Sequence, residues 1–229
     1  MSSTANDGWK DPYYHYRLKQ RKIVVDVTGS IPNFIGEIDG LSDVAAEFRK
    51  RGFTRVLDFG AGKLRNARYL LRKQFKVWAV EFKEAYDTPK AEQIFKSTRN
   101  SFKNFFFLEY PDKFLEFKGE FDCVLLINVV NVVPEPRDRR KIVIECTKRL
   151  KRGGLLLCMT QYGEPHYRPG VTKRLSLNRG WCYNLHKRYQ TFNIEFKIPD
   201  IMEFIPSQYY KELRKVTAAH HRAFLFERT

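Results

Sequence analysis

Cysteine is scarce in this 229-residue chain. The four present, Cys123, Cys146, Cys158 and Cys182, are far apart, with no CxxC pair and no Cys/His cluster at metal-ligand spacing. That excludes a disulfide scaffold, gives no metal site, and fits a reducing compartment. Cys123 and Cys158 lie inside the apolar runs FDCVLLI and GGLLLCM, where a buried, inert thiol is the natural role. Long apolar runs are absent too. Residues 124–133 form the longest, ten residues interrupted by Asn128 and Asn131, against the roughly 20 a membrane span requires. The opening MSSTANDGWKDPYY contains no apolar stretch, so no secretory leader is expected. Glycine (13) and proline (10) are at ordinary levels, which removes the collagen-like and low-complexity classes. Acidic residues are few: 26 against 42 Lys and Arg, a formal net charge of +16. What remains is a chain 43% hydrophobic and 15% aromatic, ample for a core. The expectation is a basic, globular, cytoplasmic protein of one domain, a domain commonly holding roughly 100–200 residues.

No repeat or long linker divides the chain, so residues 1–50 read as an N-terminal extension or cap on a domain filling 51–229. Residues 41–51 have helical spacing, with Ser42 as a candidate cap and Gly52 as the stop. From residue 55 short apolar runs alternate with amphipathic ones. Strands are predicted at 55–59, 76–81, 104–110, 121–129 and 155–162, and helices at 67–74, 85–100 and 137–150, the last closed by Gly153-Gly154. Beyond residue 162 the rhythm breaks. Two further strands are predicted at 191–196 and 221–227, with a helix over 201–215 between them, and the adjacent His220 and His221 read as strand residues rather than ligands. Strands alternating with helices imply an open, doubly wound α/β fold: a mainly parallel, seven-stranded sheet with helices on both faces.

The informative stretch is Val56-Leu57-Asp58-Phe59-Gly60-Ala61-Gly62, followed by a helix. A strand that runs into a glycine turn at a helix N-terminus lets bare backbone approach a ligand, at the end of a parallel sheet where ligands bind. The second strand ends in Glu81, 19 residues after Gly62. A carboxylate there accepts hydrogen bonds from ribose hydroxyls. A dinucleotide fingerprint would need a third glycine, but GAGKLR has Arg65 in that place. Asp58 adds negative charge beside the turn, unfavourable for a diphosphate and favourable for a cationic ligand.

VLDFGAG, AVE and FDCVLLINVV…LKRGGLLL resemble the ordered motifs of class I S-adenosylmethionine-dependent methyltransferases over roughly residues 55–162. The resemblance implies S-adenosylmethionine as cofactor and S-adenosylhomocysteine as product. It implies that Asp58, Gly60, Ala61 and Gly62 hold the methionine moiety and that Glu81, with Phe82 after it, meets the ribose. The adenine contact falls among Glu109, Tyr110 and Asp112, and Asn128 lies where the fourth strand would meet the cofactor. The stretch GxxRNAxYL over 62–70 is similar to a small-molecule subgroup that includes thiopurine and tellurite-resistance methyltransferases. After the fourth strand stands Asn128-Val129-Val130-Asn131, which is neither the Asp/Asn-Pro-Pro-aromatic motif of DNA amino-methyltransferases nor the Pro-Cys pair of cytosine-C5 enzymes.

The positive charge is uneven. Residues 81–122 hold seven Lys/Arg and nine Asp/Glu; residues 165–194 hold Arg168, Lys173, Arg174, Arg179, Lys187 and Arg188 and no acid. Trp181, His166 and several tyrosines are interleaved, so residues 163–194 read as a basic, aromatic acceptor-side insertion suited to unpaired RNA. The cations at 137–152 read as a solvated helix face. The expected function is methyl transfer to RNA, tRNA or rRNA before mRNA, with other polyanions as further ligands. The alternatives are a small anionic metabolite or xenobiotic as acceptor, and an inactive nucleic-acid-binding module of the same fold. Asn128, Tyr162 and His166 are the candidate catalytic side chains, the last two as bases for a neutral acceptor.

Overall fold

The computed structural model describes residues 8–18, 21–28, 40–161, 175–183, 188, 190–194, 196, 201, 203–205, 210–218 and 221–229. The five apolar runs of the first two thirds form strands β3 (Arg55–Phe59), β4 (Lys76–Phe82), β5 (Phe105–Tyr110), β6 (Phe121–Ile127) and β7 (Leu150–Gln161). The strands β1 (Tyr13–Leu18) and β2 (Arg21–Asp26) precede them, and β8 (Leu175–Leu177), β9 (Gly180–Tyr183), β10 (Thr191–Asn193), β11 (Tyr210–Ala218) and β12 (His221–Arg228) follow. The helices are α1 (Leu41–Lys50), α2 (Arg65–Arg72), α3 (Pro89–Ser101), α4 (Asp112–Glu116) and α5 (Pro136–Lys148). Local chemistry explains the start of α3: Pro89 occupies its first turn and the Thr88 hydroxyl accepts from the Ala91 amide.

The central sheet has seven strands in the order β11-β12-β7-β6-β3-β4-β5. Neighbours from β7 to β5 pair in parallel, and β12 is antiparallel to both β7 and β11. Every residue of β6 is buried, as a strand covered on both faces must be. Its alternation divides the core. Val124 and Leu126 face α5 and the N-terminal strands; Cys123, Leu125 and Ile127 face α1 and α2. All four cysteines are buried and free. Among the described residues no helix is long and apolar enough to cross a membrane.

Four details differ from the sequence-based expectation. Gly40, not Ser42, precedes the first turn of α1, and no side chain caps it. Helix α5 ends at Lys148, and Gly153-Gly154 lie inside β7 rather than closing the helix. There Gly153 has φ +74, and a Cβ on Gly154 would meet the Asp122 and Lys151 carbonyls at 2.8 Å, where the β6–β7 register shifts. The predicted strand 191–196 supplies only β10, which belongs to a separate three-stranded sheet ordered β10-β9-β8. The seventh strand of the main sheet is β11, whose first six residues overlap the predicted helix 201–215. Ile201 and Ile205 are buried at helical spacing, but Pro206 interrupts that pattern. Pairing along β12, from Tyr210 opposite Arg228 to Ala218 opposite His221, then overrides local propensity.

The N-terminal β1–β2 hairpin packs on the α5 side of the sheet. Tyr14, Ile23 and Val25 enter the core with Phe192, Phe196 and Ile142. Gln190 fastens the hairpin to the small sheet: its amide donates to the Val24 carbonyl at 2.8 Å, its carbonyl accepts from Asp26 N at 3.0 Å, and its side-chain oxygen accepts from Val24 N at 2.8 Å. Leu125→Ala removes a fully buried side chain from the middle of the sheet. It should cost about 2–5 kcal/mol, read as a lower urea midpoint at unchanged slope.

Candidate functional site

Strand β3 ends at Phe59, and the chain then turns through Gly60 and Gly62 at φ +69 and +51, values a side chain strongly disfavours. A Cβ on Gly60 would lie 2.6 Å from Val129 Cγ2, so close approach of the β6 loop requires glycine here as well. Strand β4 holds the turn. Gly60 N and Ala61 N both donate to the Val80 carbonyl, at 2.9 and 3.1 Å. Gly62 N donates to Glu81 Oε2 at 2.8 Å, and Phe82 N to Glu81 Oε1 at 3.0 Å. Each carboxylate oxygen has about two acceptor sites, so Glu81 keeps capacity for two further donors.

The turn forms one side of a cleft. Glu81, Phe82 and Tyr110 line it from β4 and β5, and Asn128, Val129 and Val132 from the end of β6. Trp9, Tyr14, Val27 and Thr28 line it from the N-terminal segment. Tyr110 joins two of these groups: its hydroxyl donates to the Trp9 carbonyl at 2.6 Å, and its ring meets Phe82 edge-on at 4.8 Å.

Two buried acids set the electrostatics. Burial pushes Glu81 up to about 7, with the Gly62 and Phe82 amides pulling it back and Asp26 pushing it further. Asp58 lies beneath the turn, 1% exposed, and is also pushed up to about 7 by burial. Asn66, Arg65 and the Ala67 amide offset that rise in part, the charge on Glu81 adds to it, and no donor meets either Asp58 oxygen at good hydrogen-bond geometry. A cationic group in the cleft would therefore find two carboxylates close by in a poorly solvated setting.

The structure brings Gly60, Ala61, Gly62, Glu81, Phe82, Tyr110 and Asn128 to one cleft. Asp112 stands apart, exposed at the start of α4 and outside the cleft lining. Asn128 ends β6 at φ +58, its amide donating to the Met159 carbonyl at 2.8 Å. Asn131 is fully buried and acts as a staple, its Nδ2 donating to Asn193 Oδ1 at 3.0 Å and its carbonyl accepting from Ile194 N at 2.9 Å. Arg179 and Arg188 are exposed and Trp181 is half-buried, all away from the cleft lining. Tyr162, His166, Arg168, Lys173, Arg174 and Lys187 lie outside the described residues. Trp9, Tyr14, Val27, Thr28 and Arg65 belong to the lining without having been singled out for it. The aromatic run WKDPYYHY was the signal, but partners of its Trp9 and Tyr16 lie 101 and 119 residues along the chain. Among the described residues no cluster of three or more His, Cys, Asp or Glu is placed to hold a metal ion.

Comparison with known proteins gives a consistent result. Residues 26–196 match the family described as a methyltransferase domain. An uncharacterised protein of Escherichia coli strain K12, YmfD, is 28% identical over 149 residues, 61% of this chain. That stretch spans 64% of YmfD, less than two thirds of its length. The PH0226 protein of Pyrococcus horikoshii OT3 superposes with a TM-score of 0.66 at 18% identity, over 83% of this chain and 89% of that one. CalS10, an amino pentose methyltransferase of Micromonospora echinaspora solved with S-adenosylmethionine bound, superposes at 0.60 with 15% identity, over 83% and 91%. At such identities the two structural likenesses show a shared fold.

An acid whose folded pKa lies above its unfolded value near 4 leaves the native chain holding more protons between about pH 4 and 7. Its contribution to stability is therefore lost as pH rises through that window. Urea unfolding of the wild type should show this loss between about pH 4 and 7, and Asp58→Asn should flatten the curve; an equal slope in the variant would contradict a buried, ionisable Asp58. Gly60→Ala should cost at least about 1–2 kcal/mol from the left-handed backbone alone, visible as a lower melting temperature.

Proposed function

The chain belongs to the methyltransferase family that its residues 26–196 match, and from that membership we propose that it methylates a nucleophile held in the cleft beside the glycine turn. S-adenosylmethionine supplies the methyl group on a sulfonium, already a strong electrophile, and S-adenosylhomocysteine remains. One observation carries the cofactor assignment: Glu81 is fixed by the Gly62 and Phe82 amides with acceptor capacity left over, beside a turn of bare backbone. Glu81 would accept from the ribose hydroxyls. Gly60, Ala61 and Gly62 would let the amino-acid end approach, with Asp58 beneath as a countercharge. Phe82 and Tyr110 offer apolar faces to the base. Trp9, Tyr14 and Val27, contributed by residues 1–50 acting as a cap, would exclude water, so alignment and desolvation rather than a nucleophilic triad do the chemistry.

The acceptor we infer is RNA. The net charge of +16 and the exposed Arg179 and Arg188 support it. Because the N-terminal segment covers part of the cleft, the RNA has to present a single unstacked nucleotide. A small anionic acceptor is the second reading, favoured by a concave cleft lined largely by apolar side chains such as Trp9, Val27, Phe82 and Val132, as small-molecule sites commonly are.

Transfer of labelled methyl from S-adenosylmethionine into deproteinised total RNA tests both levels. Label should appear, vanish after ribonuclease treatment, and be lost with Glu81→Ala, whose affinity for S-adenosylhomocysteine should fall at least about 10-fold through lost charge-assisted hydrogen bonds. Tight S-adenosylhomocysteine binding without RNA labelling would move the acceptor to a small molecule. Absence of any S-adenosylhomocysteine binding would leave an inactive module of this fold.

A further inference from the structure

Tyr14 and Tyr16 share one face of β1, and each presents its hydroxyl to an acid at the start of α5. Tyr16 donates to Glu135 Oε1 at 2.6 Å, and the same oxygen accepts from Asn178 Nδ2 at 2.9 Å. Neither Tyr16 nor Glu135 lines the cleft, so this pair is a fastening. Asp138 lies three residues further along α5, its amide donating to the Glu135 carbonyl at 3.1 Å. The Tyr14 hydroxyl is within hydrogen-bonding reach of the Asp138 carboxylate. Both residues are 6% exposed. Tyr14, unlike Tyr16, lines the cleft; so do Val132, Val133 and Ile142, the last lying four residues beyond Asp138 on the same face of the helix.

The other hydroxyls on the cleft lining are engaged elsewhere. Tyr110 donates to the Trp9 carbonyl at 2.6 Å, and Thr28 closes a local turn by donating to Asp26 Oδ1 at 2.7 Å. A tyrosine that donates to a carboxylate keeps the lone pairs of its own oxygen, so Tyr14 can still accept a hydrogen bond from a group in the cleft. Behind it, burial raises Asp138 above the usual carboxylate range; the Tyr14 hydroxyl, Lys141 and Arg137 offset that rise and Glu135 adds to it. Tyr14 is faced besides by Tyr16, Tyr110 and Arg139. A carboxylate in that setting is a better proton acceptor than one on the surface.

We propose that Tyr14 is the catalytic residue that takes the acceptor's proton, with Asp138 as the positioning residue behind it, so that the methylated atom is a hydroxyl oxygen or an amino nitrogen carrying hydrogen. The inference rests on the methyl-transfer reading and names the class of atom that reading leaves open. The acceptor's X–H donates to Tyr14 Oη, which aims a lone pair of X at the methyl carbon. As the X–C bond forms, the carbon–sulfur bond breaks and its electron pair stays on sulfur, which passes from sulfonium to thioether. The proton on X becomes strongly acidic at that moment and moves to Tyr14 Oη, while the Tyr14 proton moves to Asp138 and is later lost to solvent. A carboxylate is a weak base, yet it suffices for a nucleophile whose acidity rises as it is alkylated. In RNA the matching atoms are the ribose 2′-hydroxyl and the exocyclic amino groups of the bases.

The test uses the full-length protein, labelled S-adenosylmethionine at saturation and deproteinised total cell extract, which supplies RNA and small molecules together. Saturation removes the titrations of Asp58 and Glu81, which act on the cofactor side. Tyr14→Phe keeps the ring and removes the hydroxyl; its transfer rate should fall at least about 100-fold, the lower end of what a positioned acid or base supplies. Asp138→Asn should lose rate as well, and Asp138→Glu should recover part of it. The wild-type rate should drop as pH falls, because the proton's destination must be ionised, and Tyr14→Phe should lose that dependence. Tyr16→Phe is the structural control: without its bond to Glu135 the melting temperature should fall, while the pH profile of the rate stays that of wild type. Calorimetric affinity for S-adenosylhomocysteine should hold in Tyr14→Phe and Asp138→Asn. Labelled product, digested to nucleosides where it is RNA, should carry the methyl on a hydroxyl oxygen or an amino nitrogen. A wild-type rate in Tyr14→Phe, a pH profile altered equally by Tyr16→Phe, or label on a ring nitrogen that bears no hydrogen would each overturn the pair. So would loss of S-adenosylhomocysteine binding in both Tyr14→Phe and Asp138→Asn, which would make the contact structural, or wild-type binding with no transfer to anything in the extract. Wild-type protein that binds no S-adenosylhomocysteine would remove the methyl-transfer reading itself, and the pair with it.

Discussion

The Val80 carbonyl and the Glu81 carboxylate together take the Gly60, Ala61 and Gly62 amides, and the cleft exists because of that attachment. A turn with two residues in left-handed backbone has amide groups that would otherwise face a ligand or water. Here three are satisfied by the neighbouring strand, so the turn is held open as a shaped edge before anything binds. Helix α2 then begins immediately beyond it, and the β6 loop approaches so closely that Val129 touches where a Gly60 side chain would be. Glu81 serves twice, as the fastener of Gly62 and as an acceptor at the cleft. Its raised pKa is the consequence of burial, which the Gly62 and Phe82 amides offset only in part.

The cover of the cleft depends on a second set of contacts, and these are made between parts of the chain far apart in sequence. Tyr16 and Asn178 converge on Glu135, Gln190 clasps Val24, and Tyr110 reaches the Trp9 carbonyl. Arg139, 2% exposed and pulled down to about 10 by burial, closes the loop before α5 from beneath. Because hairpin, loop and small sheet share these partners, the cover is held in place through side chains rather than by pairing with the central sheet.

Much of this was legible in the sequence, and the reason is local. Short, near-continuous apolar runs, the glycine turn after 55–59 and Glu81 at the end of the next strand each state their role within a window of a few residues. The edge strand β11 was not legible, because its start overlaps the stretch 201–215 read as helix, and its pairing with β12 is a tertiary fact. Nor was the division of 191–196 away from the main sheet, which follows from Phe192 and Phe196 packing against Arg139 rather than from any pattern of their own.

The sequence by itself determined a doubly wound α/β fold, the turn at Gly60–Gly62, the carboxylate at Glu81 and the excess of positive charge, since each depends on neighbouring residues or on simple counts. Tertiary structure alone decided that Trp9 and Tyr14 line the cleft, that Asp112 stands outside it, and that Tyr16 and Asn178 meet at Glu135. Those placements depend on packing and hydrogen bonds between segments more than 40 and as many as 119 residues apart, and no local propensity records which distant side chain a buried face or a carboxylate will meet.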